Sequence, residues 1–238
     1  MKKAIIIGAT SGIGKELAII LAENGYLVGI TGRRNELLED LKKKRTGAFI
    51  TSSFDIADIK TAIEKLNELT IQLNGLDLLI ISSGTGDINE ELNFEIEKRT
   101  IDINVSGFTN IADWGFNYFQ KQKSGHLVAI SSLAGLRGSR HAPSYNATKS
   151  YQINYLEGLR QKSASLRLPI FVTDIRPGFV DTNMAKGEGL FWVSTVEKAA
   201  KQIFTAIKKR KNVAYITKRW RFIAIIIKQI PGFIYNRM

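Results

Sequence analysis

Short apolar runs recur along this chain at intervals filled by helix-patterned stretches, and that alternation restricts the fold more than any other feature. The runs are AIII from Ala4, YLVGIT from Tyr26, FITSSF from Phe49, LDLLIIS from Leu76, HLVAISS from His126 and PIFVTDI from Pro169. Uninterrupted apolar runs of this length suit strands covered on both faces. Between them, KELAIILAENG and EKLNELTIQLNG place apolar residues three and four apart and end in glycine, as helices commonly do. NVAYIT from Asn212 reads as a last strand. Repeated strand, helix, strand order predicts an α/β fold, a doubly wound parallel sheet of about seven strands with helices on both faces, in three layers.

No linker, low-complexity stretch or fixed-period repeat interrupts the pattern. The 238 residues therefore read as one domain over 1–217, followed by a tail over 218–238 that either belongs to it or forms a surface or interface helix. Hydrophobic residues make up 44% of the chain, enough for a shared core and far from the composition of disorder. The absence of cysteine removes disulfides, thiolate metal sites and thiol catalysis, and favours a cytoplasmic protein. Met1-Lys2-Lys3 precedes too short an apolar run to suggest a secretory signal. His126 and His141 lack a partner at metal-ligand spacing; both read as structural, and no metal site is expected.

The net charge of +12 is concentrated at one end, because Lys198–Met238 holds eleven Lys/Arg and no acidic residue. From Lys218 the tail reads KRWRFIAIIIKQIPGFIYNRM, an amphipathic helix broken at Pro231 whose apolar core is too short to span a bilayer. Such a tail suits peripheral contact with an anionic membrane, which would place the protein at the inner face of that membrane. It equally suits packing of Phe222, Ile225 and Ile226 on the sheet edge or a second subunit. Nucleic acid is the weaker reading of the charge, and would require salt-dependent binding that disappears with the tail.

The first strand leads into Gly8-Ala9-Thr10-Ser11-Gly12-Ile13-Gly14 and then a helix. A glycine turn at a helix N-terminus lets backbone N–H groups and the helix dipole approach a pyrophosphate. Alone it is equally an ordinary tight turn; its place after the first strand of an alternating chain favours a dinucleotide. After the second strand, Thr31-Gly32-Arg33-Arg34 stands where an NAD enzyme usually carries an acid for the ribose hydroxyls. An arginine there pairs with the 2′-phosphate of NADP, Arg33 being the better placed, although the two arginines also suit a solvated helix start. NADP(H) is thus preferred, with NAD(H) still open.

Tyr145 and Lys149 stand in YNATK, one helical turn apart, thirteen residues after Ser132; Asn104 stands in INVSG. With the G-x-x-x-G-x-G turn, these residues resemble the Asn, Ser, Tyr and Lys tetrad of the short-chain dehydrogenase/reductase (SDR) family, and the resemblance covers nearly the whole chain. It implies a Rossmann-type fold and hydride transfer between a nicotinamide and a ketone or secondary alcohol. Tyr145 would act as general acid/base and Ser132 would bond the substrate oxygen. Lys149 would bind the nicotinamide ribose and lower the pKa of the phenol, while Asn104 would support a water relay to Lys149. The resemblance also assigns Asp55 and Ile56 to the adenine, and Pro177, Gly178, Val180 and Thr182 to the nicotinamide side. Ser83 and Gly84 end the stretch Ile81-Ser82-Ser83-Gly84, where the family commonly reads N-N-A-G; the glycine remains and the asparagines do not, yet small residues still permit close approach of the cofactor. MAKGEGLFWVS from Met184 would form a lid, with Phe191 and Trp192 either facing an apolar substrate or packing on the domain. A homodimer or homotetramer through paired helices is implied. The competing reading is a non-catalytic NADP-binding redox sensor.

Overall fold

The computed structural model describes residues 1–182 and 191–237. Among them, seven strands form one parallel sheet: β1 (Lys2–Ile7), β2 (Tyr26–Gly32), β3 (Phe49–Ser53), β4 (Leu78–Ile81), β5 (Gly125–Ile130), β6 (Ile170–Pro177) and β7 (Val213–Ile216). Their order is β3-β2-β1-β4-β5-β6-β7. The chain winds outward from β1 to β3, then returns to lay β4 on the other side of β1. The winding reverses there, and a crevice opens at the carboxyl ends of β1 and β4, where ligands of doubly wound sheets bind.

Strand alternation divides the core. Ala4 and Ile6 of β1 point to one face, where α1 (Gly12–Glu23), α2 (Asn35–Lys43) and α7 (Val196–Lys208) cover them with Leu17, Leu21, Leu38, Ile203 and Ile207. Ile5 and Ile7 point to the other, against α3 (Ile59–Leu73), α5 (Phe108–Gln122) and α6 (Pro143–Leu166), with Leu66, Phe116 and Leu156 among the contacts. Helix starts follow local chemistry. Asp58 caps α3 by accepting from Thr61 N at 3.1 Å, and Thr195 caps α7 by accepting from Lys198 N at 3.3 Å. Asp55, three residues before Asp58, closes a short turn by accepting from Ala57 N at 3.0 Å.

α4 (Phe94–Ile101) runs into α5 through a π-helical stretch over Asp102–Gly107. Such stretches appear frequently at functional sites. Asn104 lies within it, inside a continuous helical run.

Beyond β7 the tail forms α8 (Trp220–Gln229), Pro231 and a short turn of helix, α9 (Gly232–Tyr235). Trp220 and Ala224 are buried, while Phe222, Ile225 and Ile226 are exposed. These last three therefore do not pack on the sheet edge of their own chain. Among the described residues no helix is long and apolar enough to cross a membrane.

His126 lies buried at the start of β5 and shares a 2.8 Å hydrogen bond with Thr173 Oγ1. Burial, with Arg210 assisting, lowers its pKa from 6.5 to about 4. Between those pH values the unfolded chain binds a proton that the folded chain refuses, so stability present above pH 6.5 is lost as pH falls toward 4. The shift corresponds to about 3 kcal/mol. Urea unfolding of His126→Gln should show that much less acid sensitivity; unchanged acid sensitivity would contradict the assignment.

Candidate active site

A cavity of about 820 Å³ occupies the crevice and gathers the glycine turn, the loops after β2 to β6, the start of α6 and the inner side of the tail. Its nucleotide end begins at the glycine turn, where Gly8 has φ of +88° and Gly12 of +56°. A Cβ on Gly14 would fall 2.0 Å from Gly8 O, so the turn closes to a separation that no other residue permits. Gly14 thus shapes the turn from behind, whereas Gly8, Thr10, Ser11, Gly12 and Ile13 line the cavity. The Ser11 side chain makes no capping bond to α1, and the first turn of that helix carries no acid. Its amides and positive dipole end can therefore serve an anion.

Both arginines after β2 line the same end. Arg34 donates to Thr10 Oγ1 at 2.7 Å and Ser11 Oγ at 3.2 Å, which ties it to the glycine turn. Arg33 pairs at 3.5 Å with Asp55, a pair exposed enough to contribute little stability. Ile56, Ser83, Gly84, Pro177, Gly178, Val180 and Thr182 complete this wall. Ser83 Oγ is buried without a hydrogen-bond partner among the described residues, a polar atom available to a ligand.

The chemical end is built on α6, where Pro143 opens the helix and helical spacing sets Tyr145, Lys149 and Gln152 along one side. Lys149 Nζ lies 5.8 Å from the Tyr145 ring centre. It donates to Ile130 O at 3.1 Å and to Gln152 Oε1 at 3.0 Å, and Gln152 Nε2 in turn donates to Asn104 O at 2.9 Å. Ser132, just past β5, hydrogen-bonds Tyr145 and accepts from Ala134 N at 3.1 Å.

Burial lowers the Lys149 pKa to about 8, with the Asp174 carboxylate opposing the shift. Burial raises the Tyr145 pKa, and the bond from Ser132 offsets part of that. Burial thus sets the phenol above its ordinary value rather than below it, and Lys149, already neutral at the pH where a phenol titrates, does not offset that.

Asn104 stands apart from the surface of the cavity. It is fully buried, and its side chain grips the backbone of Thr85, accepting from its N at 2.9 Å and donating to its O at 2.6 Å. It holds the Ser83–Thr85 wall in place and reaches Lys149 through Gln152. Trp192 also misses the cavity: it packs against Trp220 at 5.8 Å between ring centres and under Arg219 at 4.8 Å. Phe191 does line the cavity, whereas residues 184–190 of the expected lid lie outside the described residues. His126 and His141 stand away from it, and the described residues contain no cluster of metal-ligating side chains.

Several contributors escaped sequence reasoning. Gln152 carried a signal, being three residues beyond Lys149 on the same helix. Asp174 and Arg176, paired at 2.6 Å within β6, form a buried ion pair beneath Ser131, which donates to Asp174 at 2.5 Å. Charges inside an otherwise apolar strand were the visible hint. The tail gave none: Trp220, Ile223, Ile227 and Tyr235 roof the substrate end. Arg137 holds that roof by donating to Ile230 O at 2.8 Å and stacking 4.1 Å over Tyr235. A Cβ on Gly178 would strike the Trp220 ring at 2.2 Å, so this glycine admits the roof.

A doubly wound sheet whose switch point carries a glycine turn, a phenol and a buried lysine defines a nucleotide-binding α/β enzyme. The family model described as short chain dehydrogenase matches residues 2–190, and the chain belongs to that family. An uncharacterised oxidoreductase of Myxococcus xanthus is 33% identical over 189 residues, covering 77% of this chain and 74% of its own. A short chain dehydrogenase from Bacillus anthracis superposes with a TM-score of 0.82 at 20% identity, over 91% of this chain and 95% of that one. ElxO with NADP bound superposes with a TM-score of 0.78 at 24% identity, over 90% and 96%. The protein is thus an oxidoreductase of a family that uses NAD(P)(H), acts on small molecules and is typically oligomeric.

Proposed function

We propose that the protein is an NADP(H)-dependent oxidoreductase interconverting a ketone and a secondary alcohol, with Tyr145 as general acid/base. The observation that carries this reading is the convergence of Ser132, Tyr145 and Lys149 on one cavity with the glycine turn and two arginines. The residues present fit a dinucleotide phosphate. Gly8 and Gly14 close the turn, α1 offers its N-terminus, Ser83 Oγ has no protein partner among the described residues, and no carboxylate follows Gly32 to repel a 2′-phosphate. ElxO, of the same fold, binds NADP, which agrees with that assignment.

Gly8, Thr10, Ser11, Gly12 and Ile13 would hold the pyrophosphate, Arg33 and Arg34 the 2′-phosphate, Asp55 and Ile56 the adenosine. Ser83, Gly84, Pro177, Gly178, Val180, Thr182 and Lys149 would hold the nicotinamide half. When bound, the cofactor supplies or accepts the hydride. In reduction the Tyr145 hydroxyl gives its proton to the carbonyl oxygen, which Ser132 also bonds. Lys149, with a pKa of about 8, stabilises the phenolate left behind and returns a proton at neutral pH. Gln152, anchored on Asn104 O, holds the ammonium in place for both tasks. In oxidation the same groups run in reverse. The apolar roof favours an apolar carbonyl substrate, and a homodimer or homotetramer in the cytoplasm completes the reading.

The cofactor assignment is tested by changing both arginines. Arg33→Ala/Arg34→Ala should weaken NADPH binding by about tenfold or more, the range of a lost charge-assisted contact, and leave NADH nearly unchanged. Equal loss for both nucleotides would remove the arginines from 2′-phosphate recognition.

A further inference from the structure

The helix that roofs the cavity is apolar on two faces. At 3.6 residues per turn, Trp220, Ile223, Ala224 and Ile227 share one side of α8, and these are the residues that are buried or line the cavity. Phe222, Ile225 and Ile226 share the opposite side, where Phe222 is 70% and Ile226 57% exposed. The short α9 continues the exposed apolar surface with Phe233, 70% exposed, and Ile234. Phe191, Trp192 and Val193 are exposed as well, and the aromatic contacts of Trp220 with Phe191 and Trp192 join them to α8. The helix thus has a second apolar face, bordered by Arg221 and Lys228, with large apolar side chains facing water on its outer side.

We propose that this surface docks the protein on an anionic membrane, with α8 lying in the lipid interface and the cavity opening beneath it. Charge selects the occupant. Lys218, Arg219, Arg221, Lys228 and Arg237 are all exposed around the apolar face, and no acidic residue occurs after Glu197. Arg221 and Lys228, seven residues apart, fall on the same edge of α8, flanking Ile225. Apolar side chains bordered by Lys/Arg, with a tryptophan at the rim, match an acyl layer beneath anionic headgroups. A second copy is the poorer partner: a two-fold contact would set the same cations against one another with no acid from this segment between them. Nucleic acid would meet the cations and leave Phe222, Ile226 and Phe233 without an apolar partner.

The consequence for the pocket rests on the function proposed above. The inner side of the docked helix supplies Ile223 and Ile227 to the substrate end, so the surface that touches lipid is also the wall of the pocket. A carbonyl compound with a long apolar chain, dissolved in the bilayer, would enter here without crossing water.

The test is co-sedimentation of the full chain with vesicles of phosphatidylcholine alone and with added phosphatidylglycerol, for the wild type and for Phe222→Ser/Ile226→Ser. Neither residue lines the cavity. NADPH affinity and circular dichroism of the variant report on the fold and the nucleotide site separately. The expected result is at least tenfold tighter binding to the anionic vesicles, loss of tenfold or more in the double variant, and NADPH affinity unchanged. Equal binding of both proteins, or none, would overturn the proposal. So would a wild-type oligomer that the substitutions dissociate without any vesicle binding, since the face would then belong to a second copy. Vesicle binding is read without cofactor or turnover, so its failure leaves the proposed chemistry standing, and failure of that chemistry leaves the docking result standing.

Discussion

Replacing Tyr145 with phenylalanine is expected to lower turnover about a thousandfold, the scale of a lost general acid, while NADPH binding stays within a few-fold of wild type. The ring stays; the hydroxyl that bonds Ser132 does not. A Cβ on Gly86 would fall 2.2 Å from the Tyr145 ring, so the loop after β4 is shaped around an aromatic side chain and should tolerate phenylalanine without rearranging. Parallel titration with NADPH and assay with a ketone panel separates the two effects. A variant with undiminished turnover on any ketone the wild type reduces would remove Tyr145 from the chemistry.

Lys149→Met should act on both activity and stability. The ammonium is almost completely buried, and burial moves its pKa from 10.5 to about 8. Between these pH values the unfolded chain retains a proton that the folded chain has released. Wild-type stability therefore carries a cost below pH 8 that is relieved as pH rises toward 10.5, by about 3 kcal/mol in full. The methionine variant lacks this term. Loss of the bonds to Ile130 O and Gln152 changes its stability too, by about 1–3 kcal/mol for each group left unpaired, but with no dependence on pH in that range. Denaturant unfolding should thus show the wild type gaining on the variant by about 3 kcal/mol between pH 8 and 10.5, while activity falls a hundredfold or more. Parallel stability curves across that window would show that the lysine is not held against its charge.

The burial that shifts Lys149 comes from segments distant in sequence, and that same distinction between local and distant contacts separates what could be read from sequence from what could not. The glycine turn and the Tyr145–Lys149 pair are local: φ above zero, close backbone approach and a spacing of four residues are all properties of short segments. The strand pattern was equally legible, because a parallel sheet covered on both faces demands continuous apolar runs.

What stayed hidden depends on contacts between distant segments. Asn104 sits in a π-helical stretch that shows no pattern in INVSG, and its side chain serves Thr85 from behind the wall. Whether a lysine lowers or fails to lower a neighbouring phenol depends on desolvation, which spacing does not reveal; Gln152 and Ile130 hold the ammonium, and burial dominates. Phe191 and Trp192 are adjacent in sequence, yet one lines the cavity while the other packs on Trp220, a choice set by where α8 lies. The tail stayed open between a part of the domain and a surface or interface helix because its inner face, Ile223 and Ile227, has the same composition as its outer one.

An NADP(H) site at the switch point of this sheet is open to calorimetric titration of the purified full chain with NADPH and with NADH. Saturable binding of both at one site per chain is expected, with NADPH the tighter by about tenfold or more if Arg33 and Arg34 hold the 2′-phosphate. Binding of neither nucleotide would contradict it.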